Sequence, residues 1–128
     1  MRISPLVIAC VLAATPAFAQ RPNQGEDESA AFVEQGREAL RRGKLDDAAR
    51  ALDQAMVLNP RRVDAYVLRS AVFAAKGKYR DGVALLRKAQ ALAPSDMAVL
   101  TALGSQLVLS GDSAAGVPLL EHVVAKEP

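Results

Sequence analysis

The sequence predicts an all-α fold, a short right-handed solenoid of three helix-turn-helix repeats. The first observation is a period of 34 residues that ends each copy on a proline: Pro60, Pro94 and Pro128. The second is a set of glycines with the same period: Gly43, Gly77 and Gly111. Within each copy, apolar residues recur every three or four residues, the spacing of one helix face. One helix pair cannot bury its own apolar face, so such a period indicates pairs stacked on one another.

The composition is that of an ordinary soluble domain. The 128 residues are 51% apolar and 23% charged, with a formal net charge of +2. Nucleic-acid binding usually requires clustered basic residues and a strongly basic domain. We therefore expect no nucleic-acid partner.

Residues 1–19 have the pattern of a cleaved secretory signal. Arg2 supplies a positive start, residues 3–15 are almost wholly apolar, and Ala17 and Ala19 are the small residues that a signal peptidase requires. Cleavage is expected after Ala19, which predicts a periplasmic or secreted protein.

An alternative processing site lies within the same segment. Val7 to Cys10 fits the lipidation box of bacterial lipoproteins, and only lipidation of Cys10 would anchor the chain to a membrane. The region before this box is short, and the apolar run continues past it, which favours the cleaved signal. Cys10 is the only cysteine, so the mature chain can form neither a disulfide nor a thiolate metal site.

The mature chain divides into a linker and a repeat domain. Residues 20–28 are polar and contain Pro22 and Gly25, so they are predicted to form a mobile linker. The domain spans 29–128, with repeats at about 29–60, 63–94 and 97–128. Its six helices are predicted at about 29–42, 46–58, 63–76, 79–92, 97–109 and 113–127.

Three local features mark the helix ends. Each periodic glycine is expected to close a first helix in the left-handed conformation. Ser95 or Asp96 is expected to cap the fifth helix. Pro118 lies about five residues into the sixth helix, which predicts either a late start or a kink there.

Small residues are predicted to face small residues inside each helix pair. The residues on the first helices are Gly36, Ser70 and Gly104, and those on the second helices are Ala48, Gly82 and Gly116. Such contacts let two helix backbones approach while larger neighbours fill the remaining space.

These residues resemble the tetratricopeptide repeat family, whose pattern is Trp-x-x-Leu-Gly-x-x-Tyr, then Ala-x-x-x-Phe, then Pro. The first repeat has Phe32, Gly36, Ala48, Leu52, Ala55 and Pro60 in these places, but departs at Gln35 and Ala39. The second has Tyr66, Ser70, Phe73, Leu86, Ala89 and Pro94, but departs at Arg69 and Gly82. The third keeps Leu103 and Gly104, and has Leu100, Leu107 and Leu120 in place of the aromatics. The resemblance implies a scaffold that binds a protein or peptide.

The family's peptide groove is lined by one face of the first helices. The corresponding residues here are Val33, Arg37, Leu40, Arg41, Val67, Ala71, Ala74, Thr101, Ser105 and Val108. They are mainly small and apolar, with Arg37 and Arg41 at one end, and the alternative is that they only pack on one another. The family's clamp for chaperone C-termini would require Lys and Asn at Val33 and Arg37, so that ligand is disfavoured.

A second candidate surface lies at the end of the third repeat. Val117, Leu119 and Val124 are predicted to be exposed, because the last helix has more apolar residues than its own pair requires. A last unit leaves open the surface that it would have given to a neighbour. We expect either a homodimer through the third repeat or a docked partner helix.

The sequence contains no convincing catalytic or cofactor site. His122 is the only histidine, there is no glycine-rich phosphate loop, and Glu26 to Glu28 are better explained as favourable charges at a helix start than as metal ligands. We expect no enzyme activity, no cofactor and no metal.

The function predicted is therefore an exported scaffold in the bacterial envelope. It resembles accessory factors of pilus, secretion or cytochrome assembly. The alternative is a holdase-like periplasmic chaperone for unfolded exported chains.

Overall fold

The computed structural model describes residues 24–127, and the side chains of residues 28–127. Within that range the chain forms six helices and no strand: α1 (Gln24–Arg41), α2 (Leu45–Leu58), α3 (Val63–Ala75), α4 (Tyr79–Leu92), α5 (Met97–Leu109) and α6 (Ser113–Lys126). The all-α helix-turn-helix prediction is confirmed. The predicted signal, the lipidation site at Cys10 and Pro128 lie outside the described residues.

The helix bounds of α2 to α6 agree with the prediction to within one residue. Helix α1 begins five residues earlier than expected, at Gln24. The predicted linker over 20–28 is therefore wrong for its last five residues. The residue types explain the difference, because Gln and Glu have good helix propensity and acidic residues are favoured near a helix N-terminus.

The periodic glycines close the first helices as predicted. Gly43, Gly77 and Gly111 have φ angles of 74°, 73° and 98°. The residue after each glycine donates its backbone N–H to the carbonyl five residues earlier, at 2.8, 2.8 and 2.9 Å. A residue with a side chain would be strained in this left-handed conformation.

The third repeat has the only side-chain N-caps among the helix starts from α2 to α6. Asp96 accepts the backbone N–H of Val99 at 3.1 Å, and Asp112 accepts that of Ala115 at 3.2 Å. Of the two residues predicted to cap α5, Asp96 is therefore the one that does so. Carboxylates at these positions satisfy donors that have no partner within the helix.

Helix α6 begins at Ser113, so of the two alternatives predicted for Pro118 the late start is wrong, and Pro118 lies inside the helix. A proline there removes the hydrogen bond that the carbonyl of Ala114 would accept. Ala114 is exposed, so water can reach that carbonyl.

The helices stack as a continuous series of pairs. Each second helix contacts its own first helix, and α2 and α4 also contact the first helix of the next pair. In addition, α1 contacts α3, and α3 contacts α5. The first helices therefore form one face, which we call the inner face, and the second helices lie on the other side.

The core is built across the boundaries between pairs. One cluster joins Val33 and Ala55 to Ala65 of the next repeat, and another joins Ala48 and Leu52 to Val72. A third joins Leu86 of α4 to Leu103 and Leu107 of α5. Each repeat thus completes its core with side chains from the next repeat.

Small residues meet as predicted in the third pair. A Cβ atom on Gly116 would lie 2.6 Å from the carbonyl oxygen of Gly104, closer than real atoms approach. In the first pair a different group lies against the glycine: a Cβ on Gly36 would lie 2.5 Å from Cγ of Leu52. Gly36 therefore makes room for the side chain of Leu52.

The second pair departs from the prediction at Gly82. A Cβ atom there would overlap the side-chain oxygen of Gln106, which comes from the third repeat. Gln106 is buried, and its Nε2 donates to the carbonyl of Ser70 at 3.2 Å. Its Oε1 is buried without a hydrogen-bond partner among the described residues. Gly82 therefore accommodates a side chain that ties α5 to α3.

We predict that Gly82→Ala lowers the free energy of unfolding by about 1–3 kcal/mol, because Gln106 must leave a well-packed position. The double variant Gly82→Ala with Gln106→Val should recover a large part of this loss, since Val is the residue that the second repeat has at this position, Val72. Urea unfolding of the two single variants and the double variant measures the coupling. Additive effects would show that the two positions do not interact.

Candidate functional site

Nine of the ten predicted groove residues are exposed or half-buried on the first helices. Val33 is the exception, because only 1% of it is exposed and it packs with Ala55 and Ala65 in the core. The prediction of Val33 as a groove residue is wrong. The physical reason is that α3 packs against α1 and covers this position.

The repeat position of Val33 becomes more exposed from the first repeat to the third. Val33 is buried, Val67 is half-buried against the Leu86 cluster, and Thr101 is exposed, with its hydroxyl donating to the carbonyl of Met97 at 2.7 Å. Among the described residues, no further first helix follows α5 to cover Thr101. At this repeat position the inner face is therefore most open in the third repeat.

The other apolar groove residues are divided between the core and the surface. Leu40 packs against the cluster of Ala48 and Leu52, and Val108 lies beside Gly116 in the third pair. Ala71 is exposed and Ala74 is half-buried, as is the polar groove residue Ser105. The accessible floor of the inner face consists of small side chains, which would allow a peptide backbone to approach closely.

The two arginines at one end of the inner face already have acidic partners on α1. Arg37 Nε lies 3.3 Å from a carboxylate oxygen of Glu34, and Arg41 pairs with Glu38, which also pairs with Arg42. The side chains of Arg37 and Arg41 are 53% and 76% exposed. Ion pairs this exposed are weak, so an acidic ligand can replace Glu34 or Glu38 at small cost.

Ion pairs also cross the junction between the first two repeats. Arg69 of α3 donates from Nε to Asp53 of α2 at 2.8 Å, and its guanidinium lies 4.4 Å from the ring centroid of Phe73. Lys76 donates to Asp46 at 2.8 Å. The hydrogen bond and the charge of Lys76 hold the pKa of Asp46 below its usual range.

The predicted end surface is present, with one correction. Val117 and Val124 are 42% and 70% exposed, and they line a shallow apolar depression together with Leu120, Glu121 and Ala125. We call this surface the α6 face. Leu119 is not part of it, because Leu119 points inward and packs against the Leu86 cluster. Its place on the helix, two residues from Val117, puts it on another side.

The described residues contain no group of three or more His, Cys, Asp or Glu that could hold a metal ion. His122 is an exposed residue of α6. No helix in the described part of the chain is long and apolar enough to cross a membrane.

Two structurally important contacts were not identified from the sequence. Gln106 stands at a repeat position where an apolar core residue is expected, as Val72 is in the second repeat. The only indication of its contact in the sequence was Gly82, where the repeat pattern has Ala. Asp53 and Arg69 are 16 residues apart, so no local spacing reveals that they meet. Both are contacts between successive repeats.

Comparison with known proteins agrees with this geometry. A family model described as tetratricopeptide repeat matches residues 33–97, about half of the chain. A search of curated protein sequences gives no significant match.

Several solved structures have the same fold. The O-GlcNAc transferase of Thermobaculum terrenum is 27% identical over 80% of this chain, with a TM-score of 0.75, but the match covers 20% of that protein. The TPR domain of Arabidopsis OM64 is 17% identical, with a TM-score of 0.76 and coverage of 81% of this chain and 86% of that one. YrrB, a TPR protein with an unusual peptide-binding site, is 19% identical, with a TM-score of 0.71 and coverage of 78% and 52%. This chain thus spans a fifth of the transferase and about half of YrrB.

Proposed function

Because the chain belongs to the tetratricopeptide repeat family, we propose that it is an exported scaffold that binds a protein or peptide partner in the bacterial envelope. The observation that carries this proposal is the open inner face of α1, α3 and α5. Its floor is made of small residues, and its two exposed arginines lie at one end. Accessory roles in pilus, secretion or cytochrome assembly fit an exported scaffold of this size.

The expected ligand is an extended or helical segment with apolar anchors and an acidic residue. The apolar anchors would contact Ala71 and Ala74, and the acidic residue would pair with Arg37 or Arg41. Affinity purification with the mature chain from envelope extracts is the direct way to identify this partner.

Charge reversal tests whether the inner face is the binding surface. The double variant Arg37→Glu with Arg41→Glu should weaken binding of the captured partner at least about fivefold, because it replaces attraction by repulsion. The midpoint of urea unfolding should hardly change, since both side chains are exposed. Binding can be measured by titration calorimetry.

The matched control reverses Arg50 and Arg87, which are exposed on the second helices α2 and α4. Arg50 pairs with Asp47 three residues earlier, as Arg37 pairs with Glu34. The control should bind normally. Equal affinity of the Arg37 and Arg41 variant and the wild type would mean that the partner uses another surface.

The envelope location depends on the predicted signal in residues 1–19. We expect the mature chain to begin at Gln20 without a lipid, because Ala17 and Ala19 fit the peptidase site and the region before Cys10 is short. Intact-mass measurement of the protein from a host with both export pathways tests this. A diacylated Cys10 as first residue would place the protein on a membrane instead.

The apolar α6 face supports two additions to this proposal. It could bind a second copy of the chain or a partner helix, since exposed apolar surface of this kind marks interaction sites. It is also the observation that favours the alternative of a holdase-like chaperone. A binding measurement distinguishes the two functions. A scaffold should bind one defined partner saturably, whereas a chaperone should bind many unfolded chains.

A further inference from the structure

The α6 face occupies the same place in its repeat as a surface that is covered in the first repeat. Shifted back by two periods, Val117, Leu120 and Val124 fall on Ala49, Leu52 and Met56 of α2. Those three residues lie in the two core clusters that α3 completes through Ala65, Leu68 and Val72. The α6 face thus has the repeat positions of a surface that a helix covers in the first repeat, and no described helix of this chain covers it.

The charge at the centre of this surface also has a counterpart in the first repeat. Glu121 falls on Asp53 under the same shift, and Asp53 accepts a hydrogen bond from Arg69 of the helix that covers α2. Arg69 is only 16% exposed in that pair. Glu121 is exposed and has no ion-pair partner among the described residues. A helix with a basic residue at the place of Arg69 would pair with it.

Other folded surfaces of this chain do not match. Helix α1 has Ala31, Glu34 and Glu38 at the positions that correspond to Ala65, Leu68 and Val72. Docking α1 of a second copy would bury two carboxylates on an apolar surface, which is costly. Symmetric pairing of two α6 helices would bring Glu121 close to its own copy, and like charges repel.

We propose that the α6 face binds a helix of a partner protein that has the residue pattern of α3. The pattern is a small residue, a leucine three positions later, a basic residue directly after it, and a branched apolar residue three positions after that, as in Ala65, Leu68, Arg69 and Val72. This inference rests on the proposed role as a protein-binding scaffold and names the class of partner. The apolar residues supply contact area, and the pair with Glu121 fixes the register of the helix.

A peptide copied from the chain itself is a suitable probe. It comprises residues 62–76, with a hydrocarbon link between positions 71 and 75, which are exposed in the folded chain and therefore lie away from the contact. The link keeps the short peptide helical, which it would not be in water. Fluorescence anisotropy of the labelled peptide with the mature chain should show saturable binding.

The charge pair is tested by exchanging its signs. An Arg69→Glu peptide should bind the wild-type chain about tenfold more weakly. The Glu121→Arg chain should reverse this preference and bind the Arg69→Glu peptide better than the original one. Both peptides binding each chain equally well would overturn the proposed pairing.

The surface is tested by two matched valines. Val124→Glu should abolish binding, whereas Val57→Glu should leave it unchanged, because Val57 is 74% exposed on α2, away from the α6 face. Three results would each overturn the inference. The first is loss of binding in both variants, and the second is no binding of the linked peptide at about 1 mM. The third is light scattering that shows a dimer disrupted by Val124→Glu. If binding of the partner requires Arg37 and Arg41 but not Glu121, the proposed function is supported and this inference is wrong.

Discussion

Each helix pair in this chain depends on the next pair to cover the outer side of its second helix. Leu52 and Leu86 are fully buried only because α3 and α5 pack over them. Full burial of a leucine side chain stabilises a protein by about 1.5–3 kcal/mol. The part of this burial that α3 and α5 supply holds successive pairs together. Two polar contacts also fix how the helices lie against each other. Asp53 pairs with Arg69 between α2 and α3, and Gln106 donates to Ser70 between α5 and α3.

The same dependence explains which parts of the molecule are open. Positions near α1 and α2 are covered by later helices, as Val33 shows, while the equivalent position in the third repeat, Thr101, is exposed. The α6 face is open for the same reason. The inner face and the α6 face differ in chemistry: the inner face has small residues and exposed cations, and the α6 face has branched apolar residues and a carboxylate.

The fold was largely predictable from the sequence, because its signals are local. Gly43 and the two glycines that follow it at the same period each close a helix by a conformation that only glycine adopts freely, and Pro60 and Pro94 follow the ends of α2 and α4. The site was less predictable, because its features depend on contacts between repeats. Val33 was placed in the groove by its spacing along α1, and spacing cannot show that α3 covers it. Gly82 was matched to Ser70 of its own pair, whereas it accommodates Gln106, 24 residues later in the chain.

Amide hydrogen exchange, resolved by residue, tests the dependence of each pair on the next most directly. Leu86 and Ala89 of α4 occupy the same repeat positions as Leu120 and Val123 of α6. If coverage by the following helix sets local stability, the amides of Leu120 and Val123 should exchange much faster than those of Leu86 and Ala89, after correction for intrinsic rates. Equal protection of the two helices in the monomeric chain would contradict this account.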